Sequence, residues 1–142
     1  MDLSIIIVNW NSAEYLKKCL ETIYTRAQGF EFEVVVVENG PVGPCEEILR
    51  RHFPMVRLIQ SDLNLGFSGA NNIGVKYCRG RNLLFLNPDT EIIGSALWEL
   101  LSFLDRTPNA GIAGAKLLNS DLSLQTSCIQ CFPSILNQAL DS

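Results

Sequence analysis

LSIIIVNWNSAEYLKKCLETI, residues 3–23, is the stretch that decides the fold. Its first six residues are apolar except for Ser4 and rich in β-branched side chains, which predicts a strand buried on both faces. The polar residues from Asn9 to Ser12 end that strand. A helix is predicted next, with Asn11 as its cap, Glu14 as the partner in a capping box, and one buried stripe. The stripe contains Leu16, Cys19, Leu20, Ile23 and Ala27.

Apolar runs and helical patterns keep alternating after this first unit. Further strands are predicted at residues 32–37, 56–60, 83–86 and 111–118, with a return strand at residues 123–127. Helices are predicted at residues 44–53, at residues 68–78 with Ser68 as the cap, and after Ser95, the last with Leu97, Trp98, Leu101 and Leu104 facing inward. This order predicts one α/β domain over residues 1–142, with a mostly parallel sheet and helices on both faces.

The composition excludes several classes of protein. The 142-residue chain is 47% hydrophobic and 18% charged, which is typical of a folded globular domain. Its net charge of −4 predicts no nucleic-acid partner, because binding a phosphate backbone needs a surplus of Lys and Arg. With no recognisable signal peptide or membrane span and an odd number of cysteines, five, we expect a cytoplasmic protein. Contact with the inner face of a membrane is left open.

Polar residues follow the predicted strands where the strands end. Ligands of open α/β sheets bind outside the carboxyl ends of the strands, and parallel strands bring those ends to one edge. We therefore expect one edge to gather amides, carboxylates and an indole, namely Asn9, Trp10, Asn11, Glu38, Asn39, Ser61, Asp62, Asn64, Asn87 and Asp89.

Asp89 is the candidate metal ligand at this edge. It follows a predicted buried strand and Pro88, which fixes the local backbone. A carboxylate there can bind Mn²⁺ or Mg²⁺, which prefer oxygen ligands and complete their shells with waters and substrate phosphates. The alternative is that Asp89 is a turn residue or a helix cap.

Glu38, Asn39 and Trp10 are candidate contacts for a nucleoside. An acidic residue at the end of the second strand holds ribose hydroxyls in dinucleotide-binding folds. Trp10 can stack on a base or on a sugar face. The alternatives are a solvated strand end for the first two residues and a packing role for the indole.

NLGFSGANNIG, residues 64–74, is a glycine-rich candidate site. Gly66 lets a backbone approach a ligand, and the predicted helix start at Ser68 offers free N–H groups to a diphosphate. The glycine spacing fits neither a dinucleotide-binding fingerprint nor a phosphate-binding P-loop, which argues against both classes. The alternative is that Gly69 and Gly74 only permit close packing of the helix on the sheet.

Two other features carry little chemistry. Cys128 and Cys131 have the spacing of a metal or redox pair, but no second pair accompanies them. His52 is the single histidine and lies at the end of a short charged helix, so a catalytic triad is not expected.

Four motifs in order resemble glycosyltransferase family 2. Within that family they are most similar to the rhamnosyltransferase-like branch. They are SIIIVNWN (residues 4–11), VVVENG (35–40), NLGFSGANN (64–72) and LFLNPDT (84–90), and the resemblance continues through KLLNSD (116–121) and Gln125. It implies the fold called GT-A and transfer of a sugar, usually with inversion, from a nucleoside-diphosphate donor to a glycan or lipid-linked acceptor.

The resemblance also assigns residues. It implies that Asp89 matches the last acid of the family's DxD motif and binds the metal ion, and that the nucleotide sugar is held by Asn9, Trp10, Asn11, Glu38, Asn39, Asn64, Gly66, Asn71 and Asn87. Two positions depart from the family pattern, because Glu38 replaces the usual Asp and Pro41 replaces a Ser. Asn87 replaces the first DxD acid, as is common in this branch.

The family's general base is not recognisable in this sequence. Family members normally continue past this length, so a C-terminally truncated domain is expected, and we do not expect Asp121 to be the base. Two readings stay open: a donor-binding enzyme domain, or a non-catalytic nucleotide-binding module. A homodimer that covers an exposed apolar face is a further expectation.

Overall fold

Strands and helices alternate strictly along the chain. The computed structural model describes residues 1–41 and 43–125. The elements are β1 (Leu3–Asn9), α1 (Ala13–Arg26), β2 (Phe32–Asn39), α2 (Cys45–His52), β3 (Arg57–Ser61), α3 (Gly66–Val75), β4 (Asn82–Leu86) and α4 (Ala96–Arg106). The first eight predicted elements are therefore confirmed, with ends that move by one to three residues.

Within the described residues the sheet has four strands in the order β3-β2-β1-β4, and all three pairings are parallel. Leu3 of β1 pairs with Phe32 on one side and with Asn82 on the other. The prediction of an α/β domain with a parallel sheet is confirmed.

The core lies on both faces of this sheet. Side chains such as Ile5 and Val34 pack on one face with buried residues of α1, α2 and α4. On the other face, Val8 and Val37 pack with Ala70 of α3. Because successive side chains of a strand point to opposite faces, an apolar run such as that of β1 fills both layers. The prediction of helices on both faces is confirmed.

Gly74 sets the distance between α3 and the sheet. A methyl group on Gly74 would lie 2.7 Å from Cγ2 of Ile6 and 3.3 Å from Cγ2 of Val37. This is the packing role that the sequence left open for Gly74. A methyl group on Gly69 would meet only Cβ of Leu65, at 3.1 Å.

A polar cluster fixes the connection from α3 to β4 at the amino ends of β1 and β2. The Oγ of Ser4 donates to Oε1 of Glu33 at 2.7 Å and accepts the N–H of Gly80 at 2.8 Å. The guanidinium of Arg79 donates to Oε2 of Glu33 at 3.0 and 3.2 Å. Buried Ser4 therefore has both of its hydrogen-bonding roles filled.

Two predicted caps are wrong. Helix α1 begins after Ser12, not Asn11, and Asn11 has a left-handed backbone with φ 53°. Helix α3 begins at Gly66, before Ser68. In both places hydrogen bonds between strand ends and loops override the local cap signal, as described below for the candidate site.

Trp98 is not an inward residue of α4. Leu97 and Leu101 are buried, whereas Trp98 is largely exposed and its ring lies beside Gly29. The buried stripe of this 11-residue helix is therefore narrower than predicted, with Leu104 half-buried.

The fifth strand predicted at residues 111–118 is also wrong. This segment forms no ladder with any other described residues, and its Ile112 is 91% exposed. Gly111 and Gly114 weaken any strand there because glycine has no side chain to pack. A single antiparallel bridge joins Leu118 to Leu124. The return strand predicted at residues 123–127 lies partly, and the Cys128–Cys131 pair wholly, outside the described residues.

In the part of the chain that the structure describes, no helix combines the length and apolarity needed to cross a membrane.

Candidate functional site

The strand order places a crevice between β1 and β4. From β1 the chain builds outward to β2 and β3, and then returns to add β4 on the other side of β1. In open α/β sheets the point of reversal leaves an opening outside the carboxyl ends of the two strands. The loop after β1 and the loop after β4 border this opening.

A cleft of about 440 Å³ lies at that point. It is lined by Ser12 and Tyr15 at the start of α1, and by Asn87, Pro88 and Asp89 after β4. The predicted residues Asn87 and Asp89 therefore share one cleft. Ser12 and Tyr15 were not predicted. They follow the polar end of β1 and are one helical turn apart, so they lie on one face of α1. That spacing is the sequence signal that could have predicted them as site residues.

Helix α1 holds the loop that carries Asp89. The thiol of Cys19 donates to the carbonyl of Asn87 at 3.8 Å, and Oγ1 of Thr22 accepts the N–H of Ile92 at 2.9 Å. Burial, together with the charges of Asp89 and Glu91, raises the pKa of Cys19 to about 12, so this group stays a thiol at neutral pH. The loop is thus fixed against α1 on both sides of residue 89.

The Asp89 side chain itself is exposed and free. Within residues 1–41 and 43–125 its carboxylate makes no hydrogen bond or ion pair. It lies in a turn in which the N–H of Thr90 donates to the carbonyl of Asn87 at 3.2 Å. The alternative of a helix cap is wrong, because α4 begins only at Ala96.

One free carboxylate fits a metal ion that shares its shell with a substrate. No group of three or more acidic, histidine or cysteine side chains gathers among the described residues. Mg²⁺ is commonly held by one or two carboxylates plus substrate phosphates rather than by an all-protein cage. Asp89 is therefore suited to an ion that a diphosphate helps to bind.

Asn9 and Glu38 lie side by side at the ends of β1 and β2, and both are buried. The Nδ2 of Asn9 donates to Oε2 of Glu38 at 2.7 Å. The Oδ1 of Asn9 accepts the hydroxyl of Ser12 at 3.0 Å, which is why Ser12 does not cap α1 with its side chain. The structure thus brings these two predicted residues together, in contact with each other.

Trp10 and Asn11 form an exposed turn above this pair. The indole is 57% exposed and rests against the backbone of Gly40, where a methyl group would lie 3.3 Å from Cδ1 of Trp10. An exposed ring beside two strand ends can stack on a flat ligand.

Asn39 clamps the start of α3. Its Nδ2 donates to Oδ1 of Asn64 at 3.1 Å and to the carbonyl of Gly66 at 3.3 Å, and its Oδ1 accepts the N–H of Leu65 at 2.9 Å. Three predicted residues are therefore joined directly. The fourth, Asn71, is buried within α3, where its Nδ2 donates to the carbonyl of Phe67 at 3.0 Å.

Asp121 lies in a tight turn remote in sequence from these loops. Its carboxyl group accepts the N–H and the hydroxyl of Ser123 at 2.9 and 2.6 Å, and these bonds lower its pKa. A carboxylate whose pKa is lowered is a weak base.

The family assignment comes from comparison with known proteins. The sequence model of "Glycosyl transferase family 2" matches residues 4–127, which include every loop of the cleft. The chain belongs to glycosyl transferase family 2. The family named by the sequence motifs is thereby confirmed, and its rhamnosyltransferase-like branch stays a prediction.

Curated relatives of this chain are named for glycan and teichoic acid biosynthesis. The chain is 34% identical over 124 residues to the low-salt glycan biosynthesis hexosyltransferase Agl10 of Haloferax volcanii. It is 30% identical over 112 residues to the minor teichoic acid biosynthesis protein GgaB of Bacillus subtilis. These matches cover 84% and 76% of this chain but 38% and 12% of the relatives. The chain thus spans well under half of their length.

Two solved structures have the same fold as this chain. S. aureus TarS 1-349 in complex with UDP aligns with a TM-score of 0.68 at 23% identity, over 82% of this chain and 39% of that one. The mannosyltransferase PcManGT from Pyrobaculum calidifontis, in complex with GDP-Man and Mn²⁺, aligns with a TM-score of 0.65 at 20% identity, over 72% of this chain and 32% of that one. The GT-A fold expected from the sequence is confirmed.

Proposed function

We propose that this domain binds a nucleoside-diphosphate sugar in the cleft between α1 and the Asn87–Asp89 loop, as the donor site of a glycosyltransferase. The observation that carries the proposal is the free carboxylate of Asp89, on a loop that α1 holds at the point where the strand order reverses. Relatives that act in glycan and teichoic acid biosynthesis, and neighbours solved with UDP or with GDP-Man and Mn²⁺, support it.

The exposed residues around the cleft each contact a different part of the donor in this proposal. Asp89 holds a divalent ion, Mn²⁺ or Mg²⁺, which neutralises charge on the leaving nucleoside diphosphate when bound. Trp10 and Asn11 face a base or ribose from the β1 side. Asn87, Ser12 and Tyr15 line the volume between the two loops, where the diphosphate and the sugar fit.

The remaining predicted residues act from behind this surface. Asn39 holds Asn64 and Gly66, and so places the first turn of α3. The N–H of Gly66 donates to Oδ1 of Asn64 at 2.9 Å, and negative charge is favoured at this helix N-terminus. Buried Asn71 supports the same turn through Phe67.

The reaction we propose is transfer of a hexosyl or rhamnosyl group, with inversion, to a glycan or lipid-linked acceptor. The rhamnosyltransferase-like motifs, and relatives named for glycan, teichoic acid and O-antigen biosynthesis, support this class. We propose a cytoplasmic location, at the inner face of a membrane when the acceptor is lipid-linked. Acceptor binding and the general base belong in this proposal to a part of the active protein outside the described residues. A homodimer remains an expectation.

Isothermal calorimetry tests the donor site directly. UDP, dTDP and GDP are titrated into the folded chain with and without Mn²⁺, followed by the corresponding nucleotide sugars. We expect binding of at least one nucleotide that weakens about tenfold or more without the ion or in Asp89→Asn, because the carboxylate–metal contact is lost.

Asp105→Asn is the matched control. Asp105 is an exposed aspartate of α4 that pairs with Arg81 at the amino end of β4, opposite the cleft, and its substitution should leave affinity unchanged. No heat with any nucleotide, for a chain shown to be folded, would refute the proposal. Binding without sugar transfer or donor hydrolysis would favour the non-catalytic nucleotide-binding module instead.

A further inference from the structure

Asn9 and Glu38 are direct neighbours across the two central strands. They are register partners in the parallel pairing of β1 with β2, so their side chains leave the sheet on the same face. The 2.7 Å bond from Nδ2 of Asn9 to Oε2 of Glu38 joins side chains that are only 1% and 4% exposed. Neither side chain presents a surface that a ligand can cover.

The pair is part of a longer chain of hydrogen bonds. On one side, Cys45 at the start of α2 lies against Glu38. Burial, and then the hydrogen bond to Glu38, raise the pKa of this thiol well above its ordinary value, so it remains a donor at neutral pH. On the other side, Oδ1 of Asn9 accepts the hydroxyl of Ser12 at 3.0 Å. These hydrogen bonds connect α2, across the ends of both strands, to the wall of the cleft.

Asn11 turns the chain between Asn9 and Ser12. Its φ of 53° lies in the left-handed region, which asparagine adopts more readily than most other residues that have a side chain. The Oγ of Ser12 is also within 3.3 Å of the carbonyl of Trp10, which closes the turn on itself. The place of the Trp10 ring over Gly40 follows from the shape of this turn.

We propose that Glu38 and Asn9 are positioning residues, which hold the Trp10–Ser12 turn in the shape that presents Trp10 and Ser12 to the donor and do not touch the nucleotide. The inference rests on the proposed function for the identity of the ligand. It replaces a direct nucleoside contact of Glu38 and Asn9 with an indirect one, through a chain of hydrogen bonds that ends at Ser12.

Two substitutions of Glu38, one that keeps a hydrogen-bond acceptor and one that removes it, test whether Glu38 holds the turn. Calorimetry with UDP, dTDP and GDP plus Mn²⁺ is compared for the wild type, Glu38→Gln and Glu38→Ala, each shown to be folded by circular dichroism. The amide oxygen of glutamine can still accept from Asn9, so Glu38→Gln should keep affinity within about threefold, while Glu38→Ala weakens it about tenfold. Equal losses in both variants, or a loss in neither, would overturn the inference.

A double-mutant cycle tests whether Glu38 acts through Ser12. Ser12→Ala removes the last link without leaving an acid unpaired. If Glu38 affects nucleotide affinity through the hydrogen bonds that end at Ser12, the double variant Glu38→Ala, Ser12→Ala binds the nucleotide no more weakly than Glu38→Ala alone. Fold-changes that multiply would show independent contacts and overturn the inference.

Trp10 itself reports the turn without any ligand. In a Trp98→Phe background Trp10 is the single tryptophan of the 142-residue chain, and its fluorescence anisotropy follows the mobility of the ring. We expect Ser12→Ala and Glu38→Ala to lower this anisotropy while Glu38→Gln does not. No change in either of the first two variants would overturn the inference.

If Glu38→Ala does not fold, Ser12→Ala and Glu38→Gln carry the test. If the wild type binds no nucleotide, the proposed function fails while this measurement still decides the role of Glu38.

Discussion

Gly80 touches the backbone of β1 at Ser4. Its N–H donates to the Oγ of Ser4 at 2.8 Å, and a methyl group at position 80 would lie 2.6 Å from the carbonyl carbon of Leu3. The chain therefore enters β4 through a gap that has room for glycine only.

Gly80→Ala should destabilise the domain by about 3 kcal/mol, because the neighbouring atoms are backbone of the central strand and cannot move aside. The free energy of unfolding, measured in urea, checks this. Gly114→Ala is the control, since a methyl group there meets nothing within 4 Å. Equal stability of both variants would contradict the close contact.

Glu33 should make stability depend on acidic pH. Burial alone would raise its pKa, but hydrogen bonds from Ser4 and Arg79 outweigh burial and hold the pKa below its ordinary value. A carboxyl group whose pKa is lower in the folded state stabilises the fold above its unfolded pKa of about 4.3, and this contribution is lost as the pH falls through the folded pKa.

Glu33→Gln should therefore cost about 1–3 kcal/mol at pH 7 and progressively less below pH of about 4. Urea unfolding at several pH values gives the difference in free energy of unfolding between wild type and variant. Asp121, whose pKa is also lowered, is present in both proteins, so its contribution cancels in this difference. Glu31→Gln is the control, because its ion pair with the N-terminus is at the surface and contributes little. A pH-independent difference would refute the prediction.

Tyr15 should contribute to donor binding from the wall of the cleft opposite Asp89. Removing its hydroxyl in Tyr15→Phe should weaken nucleotide-sugar binding about fivefold, the effect of one lost hydrogen bond. Calorimetry with Mn²⁺ present measures this. Tyr77→Phe is a matched control on an exposed tyrosine just beyond α3, whose backbone carbonyl, not its ring, accepts from Arg57. Identical affinities of the two variants would exclude Tyr15 from the site.

Cys19 and Cys45 should react slowly with iodoacetamide. Both are buried, and burial is the main cause that raises their pKa values, that of Cys19 to about 12. Only the thiolate is nucleophilic, so at pH 8 we expect modification at least about tenfold slower than in the urea-unfolded chain. Mass spectrometry of digested samples assigns the rate to each residue, with half-buried Cys78 as the comparison. Native rates equal to unfolded rates would contradict the described packing.

The sequence predicted the fold well where periodicity was strong. The apolar run of β1 and the stripe of α1 each specify one element and the face that it buries. Parallel pairing followed from the β-α alternation, because a strand–helix–strand connection returns to the same edge of the sheet. The strand order followed from none of these, since it depends on which side of β1 receives β4.

Elements whose state depends on a partner were predicted less well. The run at residues 111–118 reads as a strand by composition, yet no strand pairs with it among the described residues. Asn11 and Ser68 are good caps in isolation. Asn39 accepts the N–H of Leu65, 26 residues away, and Asn9 accepts the hydroxyl of Ser12, three residues away. Hydrogen bonds to the ends of strands therefore decide where both helices begin.

The candidate site was predicted by position more reliably than by contact. Asn87 and Asp89 do share the cleft, because the carboxyl ends of parallel strands meet at one edge. Which polar side chains point outward could not be read from the sequence. Asn9 and Glu38 are register partners, so they reach each other across two strands, a relation visible only once the register is known.

The pairing of β1 also bears on how the domain folds. Leu3 must meet Phe32 on one side and Asn82 on the other, so β1, one of the two central strands, is fully paired only when the distant β4 arrives. Contacts between segments so far apart close large loops at an entropic cost, and this slows the search for the native state. A proteolytic cut between α2 and α3 would remove the covalent link between β1 and β4, and loss of the fragment that carries β4 would leave one side of β1 open to pairing with other molecules.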